Sequence, residues 1–199
     1  MPPDLTREAA IAGPVAGIDE AGRGPWAGPV MAAAVILPPD RFPPGLDDSK
    51  RLSAAMREKL YDAVRAEAVA TGIGLAEVEE IDRLNILAAT ELAMCRAVAA
   101  LGIRPVACLV DGNRVPKALP VPGRAVIGGD RLAASIAAAS ILAKVTRDRL
   151  MISLAAAFPD YGWERNKGYG TAAHRNALER YGVSPHHRRS FKPIHNLLS

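Results

Sequence analysis

Gly17-Ile18-Asp19-Glu20-Ala21-Gly22-Arg23-Gly24-Pro25-Trp26-Ala27-Gly28-Pro29-Val30 is the stretch on which the reading of this 199-residue chain turns. Before it, Val15 to Ile18 is a short apolar run that stops at two adjacent carboxylates. After it, Val30 to Leu37 is an unbroken apolar run. The pattern predicts two strands joined by a tight Gly-Arg-Gly-Pro connection, with Asp19 and Glu20 where the first strand ends. Adjacent residues on a strand point to opposite faces, so a site using both carboxylates needs a local bend, which the nearby glycines could supply. A dinucleotide-binding reading of those glycines fails: the spacing is not GxGxxG, and Pro25 and Pro29 oppose a helix starting there. Two readings remain, plain turn residues or close backbone approach of a sugar or phosphate with Arg23 supplying charge.

Working outward, prolines close the second strand, and Asp47-Asp48-Ser49-Lys50 forms a polar loop before Ser53, a candidate N-cap. A helix is expected from Ala54 to about Ala70, with Met56, Leu60, Val64 and Ala68 as its apolar stripe. Gly72 to Val78 reads as a strand and Glu79 to Leu101 as one long helix stopped by Gly102. Val106 to Val110, between Pro105 and Gly112, reads as a buried strand delivering Asp111. Val121 to Ile127 is a weaker strand ending near Asp130, and an alanine-rich helix is expected from Leu132 to about Phe158, with another from Thr171 to Tyr181. The order of elements makes an α/β sheet with helical cover the natural architecture. Residues 1–13 read as a leader, 14–183 as one catalytic domain, and 184–199 as a basic tail or loosely docked arm.

With 49% hydrophobic and 23% charged residues, the composition excludes a disordered polymer, and no apolar run approaches a membrane span. The net charge of +4 suits a polyanionic partner without establishing one. The only cysteines, Cys95 and Cys108, sit in apolar surroundings and offer neither a disulfide framework nor a CxxC site. With no export signal in the opening residues, a cytoplasmic setting is expected.

Three acidic sites stand where apolar segments stop: Asp19-Glu20, Asp111 and Asp130. If the strands lie side by side, these carboxylates converge. Groups within about 5 Å of one another repel by a few kcal/mol per pair even at an effective dielectric near 20, so something positive must join them. Taken singly, each is better explained as a turn former or helix cap. An all-oxygen set without Cys or His selects a hard cation, Mg²⁺ or Mn²⁺. Two such ions about 4 Å apart would serve phosphodiester hydrolysis.

The opening stretch resembles the signature of bacterial ribonuclease HII, and further blocks agree in order: Asp48-Ser49-Lys50-Arg51-Leu52, Val110-Asp111-Gly112, Gly129-Asp130, Ser135 to Asp148, and Lys167-Gly168-Tyr169-Gly170-Thr171. The similarity runs from about Ala16 to Pro193. It implies a ribonuclease H-like α/β fold, a mixed central sheet flanked by helices with a C-terminal helical segment. The activity implied is a metal-dependent endoribonuclease for RNA–DNA hybrids and for single ribonucleotides in duplex DNA. Cleavage 5′ of the ribonucleotide would leave 3′-hydroxyl and 5′-phosphate ends, in ribonucleotide repair and primer removal. The resemblance assigns catalysis and a two-metal Mg²⁺ or Mn²⁺ site to Asp19, Glu20, Asp111 and Asp130. It assigns reading of the ribose 2′-hydroxyl to Gly22, Arg23 and Gly24, and of the junction to Tyr169. A monomer is expected. The final residues, 195–199, do not read as a sliding-clamp peptide, so no clamp partner is carried over.

Lys50, Ser140, Lys144 and Arg147 are candidate phosphate contacts, the last three sharing a helical face. Arg188, Arg189 and Lys192 could add backbone phosphate contacts through the basic tail. His186 and His187 are expected at the surface, and Trp26 and Trp163 in packing.

Overall fold

The computed structural model describes residues 2–198; Met1 and Ser199, the outermost residues of the expected leader and tail, lie outside them. Five strands, β1 (Val15–Ala21), β2 (Val30–Ile36), β3 (Ala70–Ala76), β4 (Ala107–Asp111) and β5 (Gly123–Val126), form one sheet in the order β3-β2-β1-β4-β5. The first three pair antiparallel, whereas β4 and β5 join β1 in parallel, so the sheet is mixed as expected. This topology sets the C-terminal ends of β1, β4 and β5 side by side, the edge at which open α/β sheets place their sites.

The helices are α1 (Thr6–Ala9), α2 (Ala54–Glu67), α3 (Val78–Leu84), α4 (Ile86–Ala99), α5 (Ala134–Ala157), α6 (Trp163–Asn166), α7 (Ala172–Tyr181) and α8 (Lys192–Leu198). β2 is buried along its whole length because both its faces are covered, which is why it reads as an unbroken apolar run. Ala32, Ala34 and Ile36 pack with α4, while Ala33 and Val35 pack with α5 and with Leu60 and Val64 of α2. The small residues let α5 lie directly on β1: a Cβ on Gly17 would come within 2.2 Å of the Ser135 backbone. None of the described helices is long and apolar enough to cross a membrane.

Several expectations are corrected. β1 runs on through Glu20 in regular register, with Asp19 opposite Ala33 and Glu20 opposite Ala32, so no bend brings the two carboxylates to one face. The long helix expected over 79–101 is two helices broken at Asn85, whose φ is 72° and whose Oδ1 accepts from the Leu87 and Ala88 amides at 3.0 and 3.2 Å. Asn is a strong N-cap, and those two bonds into the next turn hold its positive-φ backbone and outweigh the surrounding helical pattern. The Ser53 cap holds, but Met56 is exposed and only Leu60 and Val64 of the expected stripe are buried. The closing segment is no loose arm, because His187, Arg188 and Ile194 are fully buried.

Candidate active site

Two neighbouring side chains of one regular strand open the site on both faces of the sheet. Asp19 turns toward α5, almost fully buried, with the Ser140 hydroxyl against it and the Glu20 amide donating to its Oδ1 at 2.7 Å. Glu20 turns to the α4 side, where Arg23 Nη1 lies 3.3 Å from its Oε1. One strand over, Asp111 closes β4 and accepts from the Gly129 amide at 2.7 Å. That bond ties the strand end to the 3-10 turn Gly129–Arg131 and places Asp130 beside it, buried, with Arg131 Nε 3.9 Å from its Oδ1.

Electrostatics draws these groups into one cluster. Burial pushes the Asp19 carboxyl well above the ordinary carboxylate range, and the charges of Glu20 and Asp111 push it further. Burial also raises Glu20, against the pull of Arg23, and Asp111 adds to the rise. Asp130 is raised by burial, then by Asp48 and Asp111. Asp111 is therefore the carboxylate that the other three all feel. Lys50 acts on both Glu20 and Asp130 in the opposite sense, which sets an exposed cation over the cluster.

Asp48 is a further carboxylate that sequence reasoning did not single out, although its loop was marked. A cavity of about 510 Å³ opens beside Glu20, Arg23 and Asp111, with Asn113 and Arg114 on one side and Glu91 of α4 on the other. The polar pair Asn113-Arg114 directly after Gly112 was the available sign of that wall.

The donor set is all oxygen, the chemistry that hard divalent cations select. Among the described residues no group of three or more His, Cys, Asp or Glu is arranged to hold an ion. The side chains are turned instead onto the Glu20 amide, the Gly129 amide and Arg23, as crowded carboxylates are when local donors offer relief.

A second group of residues lies behind the Gly22–Gly24 turn. Gly22 has φ +95°, and a Cβ there would meet Arg147 Nε at 2.0 Å, so a side chain is excluded both by backbone and by space. Arg147 is fully buried and donates to the carbonyls of Pro29, Lys167 and Ala27, each at 3.0 Å. Arg188 is equally buried and donates to the carbonyls of Gly28 at 2.8 Å, Arg23 at 3.0 Å and Gly22 at 2.6 Å. Burial lowers both guanidiniums, Arg147 to about 10 and Arg188 to about 9, which leaves each charged at neutral pH.

Tyr169 stands half exposed near this turn, its ring 3.7 Å from where a Gly24 Cβ would be. Its carbonyl lies 3.0 Å from His174 Nδ1, whose Nε2 accepts from Trp163 Nε1 at 3.2 Å and lies 3.0 Å from His187 Nε2. The Ser184 amide donates to His187 Nδ1 at 3.0 Å. These donors set the tautomers: His174 carries its proton on Nδ1 and His187 on Nε2, both rings neutral. Burial depresses both, His187 to about 3.

The four expected phosphate contacts therefore divide. Lys50 is exposed over the carboxylates, and Lys144 is half buried and paired with Asp148 at 2.8 Å. Ser140 is buried, bonded to Ser49 at 3.0 Å, and faces Asp19. Arg147 is corrected from a phosphate contact to an interior brace, since its guanidinium is enclosed and committed to carbonyls; the same holds for Arg188. His187 is likewise interior, not surface. Trp163 is fully buried in packing as expected.

The family model for Ribonuclease HII matches residues 16–194. A Ribonuclease HII of Ruegeria pomeroyi is 58% identical over 200 residues, covering 98% of this chain and 85% of the relative. One of Paracoccus denitrificans is 60% identical over 184 residues, covering 92% and 87%. Among solved structures, ribonuclease H2 from Pyrococcus horikoshii superposes with a TM-score of 0.76 at 27% identity, covering 92% of this chain and 96% of that one. RNase HII from Archaeoglobus fulgidus, solved as a PCNA complex, gives 0.75 at 27% identity, covering 90% and 95%. Bst-RNase HIII in complex with Mn²⁺ gives 0.73 at 17% identity, covering 96% and 71%, and shares the fold.

Proposed function

The chain belongs to the ribonuclease HII family and is a ribonuclease H, and from that premise we propose that it hydrolyses the phosphodiester 5′ of a ribonucleotide, in RNA–DNA hybrids and at single ribonucleotides in duplex DNA. Asp19, Glu20, Asp111 and Asp130 are the proposed catalytic carboxylates. The observation that carries this reading is the electrostatic convergence of the other three on Asp111 at the parallel strand ends. These four would hold Mg²⁺ or Mn²⁺, which when bound supplies an activated water and neutralises charge at the leaving oxygen. The Mn²⁺ complex of the Bst-RNase HIII neighbour supports a divalent ion. Lys50, above the carboxylates, is the proposed phosphate contact, with Lys144 a lesser one because Asp148 already pairs it.

The substrate is told from DNA by its 2′-hydroxyl. A site built to hydrogen-bond that hydroxyl rejects its absence far more strongly than an apolar pocket rejects a methylene. In this proposal the Gly22–Gly24 backbone reads the hydroxyl, and the exposed Tyr169 ring packs at the junction. The PCNA complex of the Archaeoglobus fulgidus neighbour puts a sliding clamp among the partners to test, although residues 195–199 gave no reason to expect one.

The test is cleavage of an end-labelled DNA duplex carrying one ribonucleotide, read at nucleotide resolution with Mg²⁺, with Mn²⁺ and with chelator. The expected result is a metal-dependent cut immediately 5′ of the ribonucleotide. Cleavage of long hybrids alone would overturn the junction reading. In Tyr169→Ala the same cut should slow by about ten- to hundredfold, the scale of a lost stacking contact, with little change in melting temperature. A matched fall in melting temperature would make Tyr169 a packing residue.

A further inference from the structure

The geometry points to the closing segment, Ser184 to Arg188, as a positioning brace that holds both halves of the ribose-reading surface, Arg188 setting the Gly22–Gly24 turn and His187, through His174, setting Tyr169. This inference rests on the reading of that surface given above.

The first arm follows from peptide geometry. In a planar trans peptide the C=O and the following N–H point in opposite directions. Arg188 draws the carbonyls of Gly22 and Arg23 inward, and so turns the amides of Arg23 and Gly24 away from itself. A ribose 2′-hydroxyl approaching from outside then meets donors rather than carbonyl oxygens. The planar fork matters: three carbonyls, those of Gly22, Arg23 and Gly28, are held at once by one rigid group, which an ammonium cannot imitate.

The second arm is the relay of neutral rings. Ser184 fixes His187, the His187 Nε2–H faces His174 Nε2, and the His174 Nδ1–H donates to the Tyr169 carbonyl. Each ring's tautomer is dictated by the next group, so the chain has one arrangement. Both arms begin in neighbouring residues, His187 and Arg188, and end on opposite sides of the Gly24–Tyr169 approach. The backbone joins them further, since the Arg188 amide donates to the Trp26 carbonyl at 2.8 Å and the Trp26 amide to the Gly168 carbonyl at 2.8 Å. His174, His187 and Arg188 are positioning residues here; none need touch substrate.

Arg188→Lys keeps the charge and loses the fork. Its expected signature is a fall in kcat/KM on the single-ribonucleotide duplex of at least about tenfold, the loss of hydrogen bonds from a charged group. The inhibition constant of an all-DNA duplex competitor should stay within about threefold, because general backbone binding does not use the turn. A merely structural defect would not separate the two constants. His174→Gln tests the second arm with the same pair of measurements and the same expected split, and decides alone if Arg188→Lys does not fold.

A folded variant whose kcat/KM is unchanged, or whose two constants weaken together, overturns the inference, as does failure of both variants to fold. Tyr169→Ala separates the layers. If it cleaves normally, the underlying reading of the surface fails; if it is impaired while both brace variants cleave normally, the brace alone is wrong.

Discussion

At the ends of β1 and β4, acidic side chains crowd together, and the charge of Asp111 raises the proton affinity of Asp19, Glu20 and Asp130. Behind the Gly22–Gly24 turn, two arginines are buried with no carboxylate among the described residues bonded to either, yet carbonyls meet their guanidiniums on several sides. Both regions bury charge, which is costly unless compensated. The arginines are compensated within the chain, and so they stabilise the fold. The carboxylates are compensated only in part, by Arg23, Lys50 and Arg131, which leaves a negative surplus that a cation would answer. Incomplete internal satisfaction marks the place where the protein expects something from outside.

The contrast is broken most directly at Asp19. Asp19→Asn should lower metal-dependent turnover by at least about a hundredfold, since in the proposed site a ligand charge is lost at constant size. The melting temperature should hold or rise, because a repelled, desolvated carboxylate is removed. A clear fall in melting temperature would place Asp19 with the self-satisfied residues instead. Arg147→Met should do the reverse. Three buried carbonyls lose their donor, and denaturant unfolding should show a loss of about 3 kcal/mol or more. A loss below about 1 kcal/mol would show that water satisfies those carbonyls and that the region is not closed.

The smallest effect sharpens the comparison through pH. His187 is neutral in the fold and depressed to about 3, chiefly by burial and then by His174, against an ordinary value of 6.5. The unfolded chain therefore binds a proton at this position between those two values and the folded chain does not. Stability from this group is fully present above pH 6.5 and is lost as pH falls toward 3. His187→Gln, measured by urea unfolding, should cost most at pH 7.5 and progressively less toward pH 5. A cost independent of pH would mean that His187 takes up a proton inside the fold. The buried carboxylates carry the opposite sign, since their raised proton affinity favours the fold at low pH and opposes it as pH rises.

Much of the carboxylate region was legible in the sequence. Acidic residues that end or interrupt apolar runs announce themselves locally, and Asp19, Glu20, Asp111 and Asp130 were all named from such breaks. The tie to Gly129 that brings Asp111 and Asp130 together, and the approach of Asp48, were not legible, because a bond across 18 residues leaves no periodic trace. The brace region was misread for a general reason. Arg147, His187 and Arg188 look like surface residues by type, and nothing in their neighbours says that the two arginines will meet carbonyls more than a hundred positions away.

The sequence by itself determined the α/β class, the apolar runs of β2 and β4, the Ser53 cap and the acidic residues at the strand ends, because each depends on residue type and on contacts within a few positions. Tertiary structure alone decided which charges are satisfied. The burial of the closing segment and the assignment of each arginine to interior or surface depend on which groups from distant parts of the chain come within hydrogen-bond reach. Solvation of a charge is a property of its surroundings in space, and those exist only once the chain has folded.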